Sequence, residues 1–140
     1  MKVVIVGAGE VGFHIASRLA IENRDVVVVD IDAKALRRVS DHIDVKTVHG
    51  SGSSPVALEE AGLKEADIIL ALTNSDEINL VACLVADILS PSIKKLARLR
   101  NTDFDDYLDS FSKISPRINT IINPEIEMVK TIDQLISIPS

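Results

Sequence analysis

At 140 residues, 46% hydrophobic and 26% charged, the chain is long enough to close one well-buried core and ordinary enough in composition to fold as a single globular domain over 1–140. A formal net charge of −6 leaves no basic stripe for nucleic acid, and one tyrosine with three phenylalanines leaves no base-stacking platform. Glycines and Glu10 interrupt the apolar N-terminus, so it does not read as a signal peptide, and no apolar run approaches the ~18 residues of a membrane span. The one cysteine, Cys83, excludes an internal disulfide framework and fits a reducing cytoplasm.

Short apolar runs alternate with amphipathic ones along the chain. Strands are predicted over residues 3–6, 25–29, 46–48, 68–72, 95–99 and 120–122. Helices are predicted over 11–21, 33–39, 55–61, 77–89 and 105–110. The first strands are apolar throughout, as expected where both faces of a parallel sheet are covered. The alternation predicts a Rossmann-like, doubly wound six-stranded parallel sheet in the order 3-2-1-4-5-6. Ser54-Pro55 starts the third helix and Gly62 stops it, while Asp32 and Asp76 are placed to cap the second and fourth. A last helix is predicted from Pro124 to about Ile136, with Ile126, Val129, Ile132 and Ile136 on one face. Either the sheet or a second molecule can cover that face, which makes the helix available for domain pairing. The ending at Pro139-Ser140 carries no terminal feature, and the expectation is a piece of a longer protein.

The stretch VVIVGAGEVG is the first motif with chemistry in it. In G-x-G-x-x-G, Gly7 permits a tight turn out of the strand and Gly9 lets the backbone approach a pyrophosphate. Gly12 lets the helix pack closely on the strand. Amides at the helix N-terminus then face the phosphates. Asp30 ends the run VVVVD about 20 residues on, where a carboxylate accepts the two ribose hydroxyls and repels a 2′-phosphate. This favours NAD or NADH, or an adenosine nucleotide such as ATP or ADP, over NADP. The segments HGSGS (49–53), TNSDE (73–77) and Arg98 with Arg100 follow the third, fourth and fifth strands, so all converge on the carboxyl edge of the sheet where ligands bind. If the fifth strand persists, both arginines point to one face, and one can reach a terminal phosphate.

Machinery for turnover is missing. His14, His42 and His49 are scattered and joined by no cysteine or carboxylate cluster, so no metal site is expected. Cys83 reads as a small buried hydrophobe, and no Ser-His-Asp set or acid/base pair stands out. Hydride transfer also needs a second surface to hold substrate. Binding without catalysis is therefore the favoured reading. The alternatives are a fragment of an NAD-dependent oxidoreductase lacking its catalytic domain and a dimerisation scaffold with a vestigial nucleotide site.

From end to end, the motifs VGAGEVG, VVVVDID, VHGSGSSPVALEEAG, ADIILALTNSDEINLVAC, LARLRNTDF and INPE resemble the N-terminal nucleotide-binding domain of TrkA-type potassium uptake regulators, within the wider RCK (KTN) class. The glycine loop is generic, whereas TNSDEIN with ARLR and NPE is far more particular. The resemblance implies a cytoplasmic regulatory subunit, peripheral to the inner membrane through a membrane potassium translocation subunit. Its domains would pair as homo-oligomers and assemble into a ring. It also implies two such domains in the full chain, and a pairing role for the helix from Pro124. The site it implies has Gly7, Ala8, Gly9, Glu10, Val11 and Gly12 around the pyrophosphate and Asp30 on the ribose, flanked by Ile31 and Asp32. Gly50, Ser51, Gly52 and Ser53 would border the adenine, Thr73, Asn74 and Glu77 the far half, and Arg98 a phosphate. Where many members carry an acid directly after the glycine matching Gly50, this chain has Ser51.

Overall fold

A computed structural model describes residues 1–122 and Gln134. Six parallel strands, β1 (Lys2–Val6), β2 (Asp25–Asp30), β3 (Lys46–His49), β4 (Ile68–Ala71), β5 (Lys94–Arg98) and β6 (Thr120–Ile122), form one sheet in the order β3-β2-β1-β4-β5-β6. This is the expected architecture and strand order. Central β1 and β2 are valine- and isoleucine-rich because their side chains are buried alternately on both faces. Val3, Ile5, Val26 and Val28 pack with α1 (Glu10–Ile21) and α2 (Ala33–His42). Val4, Val6, Val27 and Val29 pack with α3 (Pro55–Glu60) and α4 (Asp76–Leu89), and α5 (Leu108–Lys113) adds Phe111 on the same side. An all-apolar strand is stable only where neither face meets water, and here neither does.

The element ends differ from expectation in instructive ways. Helix α2 runs on past Val39 to His42, because three polar residues can continue a helix on its exposed side without adding to the apolar pattern. The segment expected as one helix over 105–110 is a 3-10 turn, Thr102–Tyr107, followed by α5. Asp32 and Ser54 cap α2 and α3 as read from the sequence, and Gly62 lies just past the end of α3. Asp76 does not cap α4. Ser75 does, its hydroxyl accepting from the Ile78 N–H at 3.2 Å, and Asp76 is instead the first helical residue. Two adjacent capping-type residues made the wrong one look suitable. The helix expected over 124–136 lies outside the described residues.

One charged group enters the core. Lys95, on β5, is 3% exposed and donates to Asp87 Oδ1 at 3.2 Å and to the Ile93 carbonyl at 3.0 Å. Asp87 also accepts from the Arg117 guanidinium, at 2.8 Å to Nη2, so one carboxylate on α4 holds both β5 and the approach to β6. Burial pushes the Asp87 carboxyl up, and the bonds from Arg117 and Lys95 outweigh this and leave it below its ordinary 3.8. At neighbouring Cys83 burial wins over the pull of Lys95 and pushes the thiol up to about 12, so it packs as a neutral hydrophobe.

Two stability results are expected from this packing. Asp87→Asn leaves Lys95 buried without its counter-charge and destabilises by about 3 kcal/mol at neutral pH, measured by urea unfolding. A carboxyl with a lowered folded-state pKa stabilises fully above its unfolded value and loses that contribution as the pH falls through the folded value. The gap between the wild type and Asp87→Asn therefore narrows as the pH drops below about 4. Gly12→Ala is also expected to cost about 3 kcal/mol, because the new Cβ would lie 1.9 Å from the Gly7 carbonyl oxygen on rigid backbone. A thermal midpoint unchanged from wild type would contradict that packing.

Candidate functional site

In this strand order the chain leaves β1 towards β2 on one side and meets β4 on the other, so a crevice opens at the carboxyl edge between β1 and β4. The ladder carries on into the loops: the Gly7 N–H donates to the Val29 carbonyl at 2.9 Å and the Leu72 N–H to the Val6 carbonyl at 2.8 Å. A cleft of about 660 Å³ lies there. It falls within the range of small-molecule sites.

The floor of the cleft is the glycine turn. Gly7 has φ +114°, and a Cβ there would also press on the Leu72 and Thr73 backbone at 3.1 Å. Helix α1 starts immediately after Gly9 with no side-chain cap, unlike α2, α3 and α4, which Asp32, Ser54 and Ser75 cap. A Cβ on Gly9 would meet nothing within 4 Å. The first turn of this three-turn helix thus opens on the cleft with no side-chain acceptor on its amides, which is the arrangement that suits a pyrophosphate.

Asp30 performs a task that spacing alone did not reveal. Its Oδ2 accepts from the Ala8 N–H at 2.7 Å and its Oδ1 from the Asp32 N–H at 2.8 Å. The carboxylate therefore ties the glycine turn to the start of α2, and Asp30 also lines the cleft, where a carboxylate has capacity left to accept hydroxyls. At the other end, Arg98 Nη1 donates to Asn74 Oδ1 at 3.1 Å. Arg100 does not line the cleft: β5 ends at Arg98, and the Arg100 backbone N–H turns to Asp76 at 3.0 Å.

Of the residues singled out in the sequence, Gly7, Gly9, Glu10, Val11, Asp30, Ile31, Asp32, Gly52, Thr73, Asn74 and Arg98 line this one cleft. Others sit behind or beside it. Ala8 and Gly12 are buried under the turn, and Gly50 donates its N–H to the Asp30 carbonyl at 3.0 Å. Ser51 and Ser53 bond to each other at 2.8 Å, and Glu77 is exposed on the first turn of α4, accepting from Ser75 at 3.3 Å. Val6, Val29, Ala35, Leu72, Ser75 and Ile78 complete the lining. Sequence reasoning passed over Val6, Val29 and Leu72 as core, although each stands at the carboxyl end of its strand's apolar run, the edge where such sheets bind ligands.

The lining contains no histidine, lysine or cysteine. His14 and His42 are exposed on helices, and His49 Nε2 pairs with the Ile31 carbonyl at 2.8 Å. Among the described residues, no group of His, Cys, Asp and Glu is placed to hold a metal ion, and no helix is long and apolar enough to cross a membrane.

Known proteins share both the sequence and the fold. The potassium uptake protein TrkA of the Trk system from Halomonas elongata is 41% identical over 139 residues, covering 99% of this chain, which spans 30% of that relative's length. Among solved structures, the TrkA-N domain of the inner membrane protein ybaL from Escherichia coli superposes with a TM-score of 0.75 at 20% identity, over 97% of this chain and 96% of that one. The GsuK channel bound to NAD gives 0.71 at 20% identity, over 86% and 21%. The Kef C-terminal domain of Shewanella denitrificans in its AMP-bound form gives 0.72 at 17%, over 99% and 83%. Residues 3–124 match the TrkA-N domain, and the chain belongs to that family.

Proposed function

We propose that this chain is the nucleotide-sensing domain of a cytoplasmic regulatory subunit for potassium uptake, binding NAD(H) or an adenine nucleotide and passing the ligand state to a membrane potassium translocation subunit. The observation that carries the reading is the uncapped N-terminus of α1 opening on a cleft with the Asp30 carboxylate at one end and the Arg98 guanidinium at the other. The glycine turn would hold the pyrophosphate, Asp30 the adenosine ribose, and Arg98 a phosphate beyond it. Names of relatives support the potassium system, and structural neighbours solved with NAD or AMP support the ligand class.

Regulation rather than turnover is the reading that the relatives' names and the cleft lining support. The titratable lining is Glu10, Asp30, Asp32 and Arg98, with no histidine, lysine or cysteine. A bound nucleotide can change a partner only by favouring one conformation over another, so the signal must leave through elements that touch ligand groups that vary. Thr73, Asn74 and Arg98 are those elements, since the adenosine end is common to every ligand. The same domain would pair with a second copy in a homo-oligomer, as the family resemblance implies, and it would meet the membrane only through its transporter partner.

Calorimetric titration with NADH, NAD, ATP, ADP and NADPH tests this directly. NADH, NAD or the adenine nucleotides are expected to bind without oxidation of NADH. NADPH should bind at least about tenfold more weakly, because the Asp30 carboxylate opposes its 2′-phosphate. Failure of all five to bind would leave the domain a scaffold. Arg98→Ala is expected to shift the NADH/NAD or ATP/ADP affinity ratio, and an unchanged ratio would remove Arg98 from the sensing end. In cells that depend on this protein, Asp30→Ala should alter potassium flux.

A further inference from the structure

One buried polar side chain at the cleft is not explained by ligand contact. Asn79, in the first turns of α4, is 0% exposed and does not line the cleft. Its Oδ1 accepts from the Thr73 N–H at 3.0 Å and from Thr73 Oγ1 at 2.7 Å. Its Nδ2 donates to the Thr73 carbonyl at 3.1 Å and to the Arg98 carbonyl at 2.8 Å. An asparagine amide has two acceptor sites and two donors, and all four are spent here on two loop residues, so its orientation is fixed and nothing is left for a ligand. Two residues that do line the cleft, Thr73 at the end of β4 and Arg98 at the end of β5, are thereby tied to one another.

A second polar group reinforces the tie. Asp76, 7% exposed and three residues before Asn79, accepts from the Arg100 N–H at 3.0 Å and the Asn101 N–H at 2.8 Å. The start of α4 thus holds the loop before it and the chain leaving β5. The adenosine half is held separately, by Asp30 on the Ala8 and Asp32 amides, and shares no bond with Asn79.

We propose that Asn79 is a positioning residue that sets the Thr73 loop and the Arg98 end of β5 as one unit, and so determines how strongly the site favours ligands extending beyond a nucleoside monophosphate. The proposal rests on the nucleotide-binding reading above. Losing the two amide donors removes a hydrogen bond from the Thr73 carbonyl and one from the Arg98 carbonyl, so the two loops separate or shift. A nucleoside monophosphate, held by the glycine turn and Asp30, would not register the change. A diphosphate or a dinucleotide would.

Titrating AMP, ADP and NAD into the wild type and Asn79→Asp tests this. Aspartate keeps the shape and the acceptors, loses both donors and adds a negative charge, so Asn79→Leu, similar in shape and uncharged, is titrated beside it and held to the same outcomes. ADP and NAD are expected to weaken about tenfold or more, and AMP to stay within about threefold of its wild-type affinity. An equal loss for all three, or no loss for any, overturns the proposal while leaving the nucleotide reading intact. Wild-type protein that binds none of the three overturns both. Should neither variant fold, the side-chain amide signals of Asn79 in the NMR spectrum of the wild type give the answer. They are expected to move with ADP and NAD and to stay with AMP; movement alike with all three, or with none, overturns the proposal.

Discussion

Helix α1 lies so close over the turn leaving β1 that nothing larger than a hydrogen fits between Gly12 and the Gly7 carbonyl. That contact sets the direction of the helix, and with it the position of every amide in its first turn. It also presses Gly7 against the Leu72-Thr73 backbone, so the turn, the helix and the end of β4 share one packed point. Because the sheet is buried on both faces, none of these elements can retreat without opening the core. The cleft therefore follows from the packing: the close approach of Gly12 to Gly7 aims the first turn of α1 at it.

Polar groups complete what the close packing begins. Three segments around the cleft are fastened by side-chain hydrogen bonds from residues distant in sequence. Asp30 fastens the glycine turn, Asn79 the Thr73 loop, and Asp76 the chain after β5. Further down α4, Asp87 joins Lys95 of β5 to Arg117 before β6. One helix thus carries a succession of carboxylate and amide clamps along the faces it turns to β5, each satisfied and so each resistant to displacement. A nucleotide that moved Thr73 or Arg98 would act on a helix already linked to β5 and to the chain entering the edge strand β6.

The site was legible in the sequence to the extent that its residues follow spacing rules. Gly7, Gly9, Gly12 and Asp30 obey a motif whose chemistry is local to one βαβ unit, and Arg98 stands at a strand end. Asn79 was visible only as a letter in TNSDEIN, since its partners lie 6 and 19 residues away and nothing local marks a buried amide. Asp76 looked like a helix cap for the same reason: its true acceptor role faces Arg100 and Asn101, which only the adjacency of β4 and β5 brings near. Glu77 and the Ser51–Ser53 pair belong to the right loops, yet their side chains turn aside from the cleft lining.

Sequence by itself determined the alternation of strand and helix, the strand order, the glycine turn and the carboxylate 20-odd residues beyond it. Period-2 and period-3.6 patterns, and the steric demands of glycine, are written within short windows of chain. Membership of the TrkA-N family was equally legible, because whole motifs persist in order along the chain. Tertiary structure alone decided which polar side chains face the cleft and which hold the loops that do. That choice depends on register between strands distant in sequence, where a difference of one residue turns a side chain from the cleft to the core.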